Sequence, residues 1–301
     1  MKIPTRVFLS LTTLGLIFAV NTTAALASTA PGLGTASSYA ILAGTPNITN
    51  TGATVISGSV GISPAASVTG FPPGTVTNGT IQAGTAPATT AKTDLTAAYG
   101  VAASSPCNFD RTGQNLGGLT LTPGTYCQTT APTLTGILTL SGNGVFIFQV
   151  GSTLVTAPAA SVVLTNGAQA CNVFWQVSSS ATLDTTTAFV GTIMALTSIQ
   201  LNNGASIQGR ALARNGAVTL INNQITVPTT CNAATVVGPT PSPAPTVAAT
   251  PTPAVAGAPN GGGGPAQGQG FPWVLAVVGA MLGGAGVVSI GLSRRRDRRA
   301  H

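Results

Sequence analysis

From Val145 to Leu220 the chain never sustains an apolar run long enough for a helix. It advances in bursts of four to seven residues rich in Val, Ile, Phe and Leu, separated by one to six residues of Gly, Ser, Thr and Asn. Bursts of that length between turn-forming residues predict short β-strands. The bursts also repeat. Phe148-Gln149-Val150 returns as Trp175-Gln176-Val177, with Leu154 and Leu183 closing the following segments, and Asn-Gly-Ala recurs at Asn166, Asn203 and Asn215. Recurring strand-and-turn units that cannot bury an apolar face alone predict a solenoid, each coil laid on the last. Because the spacing is uneven, an irregular right-handed β-helix is expected.

One segment breaks the pattern. Pro87 stands where a first helical turn begins, and Ala91, Leu95, Ala98, Tyr99 and Ala102 recur at helical spacing before Ser104-Ser105-Pro106. This predicts a single long helix over about 86–104 whose apolar face packs alongside the solenoid. Short strands precede it from Gly32 onward, with turn signals at Pro72-Pro73-Gly74 and Asn78-Gly79. After Cys107 the coils resume at Leu116 and finish near Val227.

The two ends read differently. Lys2 and Arg6, an apolar run from Val7 to Val20 and Ala25-Leu26-Ala27 predict an export signal over 1–27. Residues 28–231 form the solenoid domain. Residues 232–270 are a linker, Pro/Thr-rich and then Gly-rich. Phe271 to Leu292 carries no charge over 22 residues, enough at about 1.5 Å per residue to cross a hydrocarbon layer of about 30 Å. Five arginines in 293–301 then predict a cytoplasmic tail, hence a single-pass protein of the cell membrane whose lipid-bilayer partner is met by this helix and whose N-terminal domain is extracellular.

An exported domain explains the cysteines. Cys107, Cys127, Cys171 and Cys231 are even in number and lack metal-ligand spacing, which predicts two disulfides. Of the three possible connectivities, Cys107–Cys127 with Cys171–Cys231 is favoured. Composition narrows the function. The net charge of +7 sits mainly at the two ends, which argues against a nucleic-acid partner. The chain has no Glu, and its one His is residue 301. With only Asp94, Asp110 and Asp184 in the domain, no acid–base pair is expected to converge, so neither an enzyme nor a bound cofactor or metal is expected.

Strand alternation instead leaves hydroxyls outside. If Leu119 and Leu121 point inward, Thr120 and Thr122 face solvent, and the same rule sends Thr133, Thr135, Thr139, Thr153 and Thr182 outward. Thr is stiff at χ1, so such groups can form an ordered array.

The segments LGTASSYAILAG, TNTGATVISGSVGISP, VTGFPPGTV, KTDLTAAYGVAA, TGQNLGGLTLTPGTYC, VFIFQVGSTL, SVVLTNGAQACNVFWQV and GRALARNGAVTL cover nearly all of Gly32 to Cys231. In these the chain resembles the bacterial and fungal ice-binding protein family. The resemblance implies a discontinuous right-handed β-helix flanked by one long helix, adsorbing to ice crystals through a flat face without catalysis or cofactor. Some family members carry a T-A/G-x-T/N motif at the ice-contacting side. Outside the helix it occurs here at Thr51-Gly52-Ala53-Thr54 and Thr112-Gly113-Gln114-Asn115, adding Thr51 and Thr54 to the expected ice-binding set. The rival expectation is a cell-surface adhesin or envelope module that binds a glycan or a neighbouring protein.

Overall fold

A computed structural model describes residues 28–230. The expected signal, linker, membrane span and tail, together with Cys231, lie outside the described residues. Among the described residues no helix is long and apolar enough to cross a membrane.

Every strand pairing is parallel, and the strands stack into three faces of one β-helix. The first face runs through Phe109–Asp110, Gly124–Gln128, Phe146–Val150 and Val173–Val177, then the second halves of Ala188–Ala195 and Ser206–Ala213. Tyr39–Ala43, Ser59–Ile62 and Ile81–Ala83 complete it. The chain order is therefore broken: the N-terminal coils lie on top of the C-terminal ones. Ile41 pairs with Ala211, and the Thr45 hydroxyl donates to the Asn215 carbonyl, 170 residues away, at 3.1 Å. The helix Ala86–Ser104 then returns the chain from Ile81–Ala83 to the opposite end of the stack. Its 19 residues span about 28 Å. Nine stacked strands rise about 38 Å, so the helix with its flanking residues covers the distance.

Inward residues of the first face, joined by Phe189 from before the Gly191 corner, make an aromatic ladder. Phe109, Tyr126, Phe148, Trp175 and Phe189 follow one another at centroid distances of 5.0, 5.4, 3.9 and 4.9 Å. The repeated tripeptide predicts this stacking, and in the structure Phe148 pairs with Trp175, Gln149 with Gln176 and Val150 with Val177. The buried indole N–H of Trp175 donates to the Val190 carbonyl at 3.0 Å, satisfying a donor that would otherwise be costly in the core.

Outward residues of the same face are apolar where the helix lies. Leu42, Ile147, Phe174, Met194 and Leu212 form a second core with Ala91, Leu95, Ala98, Tyr99 and Ala102 of the helix. The helix limits and its buried face are those the periodicity predicts. Where Ala188–Ala195 and Ser206–Ala213 turn a corner, Gly191 and Gly209 adopt positive φ (+111° and +153°), and a Cβ at Gly209 would overlap the Gly191 carbonyl. Only glycine stacks on glycine at that corner.

The Cys107–Cys127 disulfide is present, with Cα atoms 5.8 Å apart. It ties the helix exit to the strand Gly124–Gln128. Cys171 is also disulfide-bonded; its expected partner, Cys231, lies outside the described residues.

Candidate functional site

The second face is built from the strands Thr133–Leu134, Leu154–Thr156, Ala181–Leu183, Ile199–Leu201, Val218–Ile221, Asn47–Thr51 and Ser67–Thr69, in that spatial order. Each contributes an apolar-x-apolar triplet or its remnant, so the flanking residues are buried and the middle one looks out. Register alignment places those middle residues in one straight row: Asn115, Thr133, Val155, Thr182, Gln200, Thr219, Thr49 and Thr69. Five of the eight are Thr. Neighbours in the row are about 4.8 Å apart, and alternate positions along a strand about 7 Å apart.

Two further rows flank it at two-residue offsets. Ser180, Ser198, Ala217, Asn47 and Ser67 lie on one side, and Thr135, Asn202, Ile221 and Thr51 on the other. Six of these nine flanking residues are Ser, Thr or Ala. The register shift at Tyr39/Ile41 is in the first face, and the pairs of the second face run without one.

Asp184, two residues beyond Thr182, is the single ionisable group in these rows. Its Oδ1 accepts from Asn202 Nδ2 at 3.0 Å and from the Thr185 N–H at 2.7 Å. The Asn202 amide, helped by that backbone N–H, holds its carboxyl below the usual carboxylate range. The charge is thus fixed and turned sideways into hydrogen bonds.

The third face contains Thr120–Leu121, Ile137–Ser141, Ser161–Thr165, the first halves of Ala188–Ala195 and Ser206–Ala213, and then Gln224–Thr226, Val55–Ser57 and Thr75–Thr77. It is uneven. Ile137 is 56% exposed, and Val55 and Val163 also protrude. A cleft of about 540 Å³ opens between Leu164, Gln169, Gln208, Thr226 and Val227.

The nine expected threonines therefore divide. Thr133 and Thr182 stand in the central row of the second face, Thr135 and Thr51 in a flanking row, and Thr153 two residues before Val155. Thr120 and Thr139 pair with each other on the third face, with Thr122 just beyond the strand. Thr54 corrects the expectation outright. It is wholly buried at the corner after Gly52, and its hydroxyl accepts the Asn223 N–H at 3.1 Å. In the second copy of that motif, Asn115 accepts the Thr135 N–H at 3.0 Å and closes the end of the face. Thr49, Thr69 and Thr219 were not anticipated. The signal for Thr219 is the recurrence Ala181-Thr182-Leu183, Ile199-Gln200-Leu201, Val218-Thr219-Leu220.

A split parallel β-helix flanked by one long helix and a disulfide defines the class of ice-binding-like solenoids. The chain belongs to the Ice-binding-like family, whose model matches residues 41–226. It is similar to the ice-binding protein of Nostoc sp. (strain HG1), 52% identical over 198 residues, covering 64% of this chain and 72% of that protein. Among solved structures it is similar to an ice binding protein from an Antarctic biological consortium (TM-score 0.63, 45% identity, 70% of this chain and 96% of the other). It also resembles the ice-binding protein of the Antarctic ascomycete Antarctomyces psychrotrophicus (TM-score 0.64, 40% identity, 67% of this chain and all of the other).

Proposed function

We propose that this protein binds ice through its second face. The observation that carries the reading is the in-register row from Asn115 to Thr69, neutral along its length, in a face that the helix leaves uncovered. β-branched residues hold their methyl and hydroxyl groups in one rotamer, so water held between them is already spaced by the strand grid before ice arrives. Kinship with ice-binding proteins across the whole solenoid supports it. The same proposal includes display at the cell membrane, outside the cell, by the uncharged segment 271–292 and the arginines that follow.

Ice-affinity partitioning of the full chain tests the face. Wild type is expected to be incorporated into growing ice, Thr182→Tyr to be excluded, and Thr139→Tyr on the third face to behave as wild type. Exclusion of wild type, or equal incorporation of all three, removes the assignment.

A further inference from the structure

Two of the positive charges in the described region meet where the helix crosses the turn after Ser206–Ala213. Lys92 Nζ donates to the Ala213 carbonyl at 2.5 Å and to the Arg214 carbonyl, leaving one of its three N–H groups. The Arg214 guanidinium lies over the Tyr99 ring, with Cζ 4.6 Å from the centroid. That ring is fixed: its hydroxyl donates to the Val177 carbonyl at 3.3 Å and accepts from Gln176 Nε2 at 2.7 Å. Arg214 Nε is buried and has no acceptor among the described residues.

Among the described residues no carboxylate answers these charges. Asp94, on the same helix, accepts from the Thr35 N–H and hydroxyl at 2.7 and 2.6 Å, and a residue two positions along a helix faces another side. Burial together with the Arg214 charge pushes the Lys92 amine down to about 8, as expected for crowded like charges. Beside them a shallow cleft of about 390 Å³ is walled by Ser63, Thr89 and Thr93. The Thr89 hydroxyl donates to the Thr85 carbonyl and lies 2.8 Å from the Ser63 hydroxyl. The unspent donors of the cleft are therefore those of the two cations.

We infer that this cleft is a carboxylate-binding site, with the guanidinium fork of Arg214 holding the anion and Lys92 adding its remaining N–H and charge. A planar, pre-positioned fork suits a carboxylate better than a spherical halide. The carboxylate comes either from a free organic acid or from the uronate residues of an acidic polysaccharide. The site lies on the helix side and uses none of the residues in the rows of the second face, so it stands or falls independently of ice binding.

Calorimetric titration of the full chain at pH 7 tests it, with sodium acetate in one arm and tri-galacturonate in the other, each replacing NaCl at fixed ionic strength. Saturable binding is expected, weakened about tenfold or more in Arg214→Gln and Lys92→Gln and unchanged in Arg111→Gln. Arg214→Lys, which keeps the charge and loses the fork, serves if the Gln variant does not fold, and it too is expected to bind more weakly. Tighter binding of the trimer than of acetate identifies a polysaccharide; acetate bound equally or better identifies a free acid. Absence of saturable binding in both arms, or binding that survives in all the Arg214 and Lys92 variants, overturns the proposal.

Discussion

The first and second faces are cut from the same coils, yet one is roofed by a helix and the other is bare. Beneath both, inward residues are alike: Trp175 and Ile193 under one, Leu183 and Leu201 under the other. The outward rows differ. Gln149, Gln176, Met194, Leu212 and Leu42 line the first, while Val155, Thr182, Gln200, Thr219 and Thr49 line the second. Met194, Leu212 and Leu42 supply apolar area that a helix can bury. Gln149 and Gln176 serve the roof too, donating to Ala102 O and Tyr99 Oη at 2.8 and 2.7 Å. A row of hydroxyls offers a helix little to bury and stays in water. A few outward side chains per coil thus decide which sheet becomes core and which becomes surface.

Four substitutions and one titration test that contrast. The largest effect is expected from Leu212→Asp, which places an unpaired charge under the helix. It should cost more than about 4 kcal/mol and abolish the cooperative urea transition. Its counterpart one strand later in the same coil, Thr219→Tyr, should leave stability within about 0.5 kcal/mol while removing most ice incorporation. If the Tyr variant still enters ice, the two faces do not differ in function as argued. Cys107→Ser, which opens a loop closed over 20 residues, should cost about 3 kcal/mol in urea melts. Ice incorporation of the folded fraction should not change, because the bridge holds the helix side.

The titration separates the faces by charge. Lys92 titrates near 8 in the fold against an ordinary 10.5. Between those values the unfolded chain binds more protons, so stability is expected to rise with pH from about 8 to 10.5. Urea midpoints at successive pH values read this, and in Lys92→Gln the rise should vanish. Ice incorporation should stay level from about pH 5 to 9, since Asp184 remains ionised throughout. Smallest of all, Val155→Thr joins the hydroxyls of Thr133 and Thr182 into one run and should raise ice incorporation by no more than about twofold, roughly 0.4 kcal/mol. A loss would show that the row uses the second methyl of Val155 at that point.

Much of this contrast is legible in the sequence, and the missing part has a physical cause. Pro87 and the spacing of Ala91, Leu95 and Ala98 locate the helix, and the repeated Phe/Trp-Gln-Val tripeptide locates stacked strands. Alternation tells whether a Thr points in or out. It does not tell which of three faces an outward Thr joins, because all three share a two-residue period. Hence Thr120 and Thr139 fall on the third face while Thr49, Thr69 and Thr219 go unnoticed. Thr54 fails for a related reason: it occupies a corner, where alternation lapses and a turn at Gly52 swings it inward. The docking of Tyr39–Ala43 on Ser206–Ala213 joins segments too far apart for any local pattern to announce.

That docking also decides how the domain bears a pull. The strand Gln224–Thr226 is hydrogen-bonded on both sides, to Ser206–Gln208 and to Val55–Ser57, and the Val227 N–H continues the ladder to Ser57. Tension applied through the residues that follow loads the bonds of both flanks together, in shear, instead of unzipping an outermost strand one bond at a time.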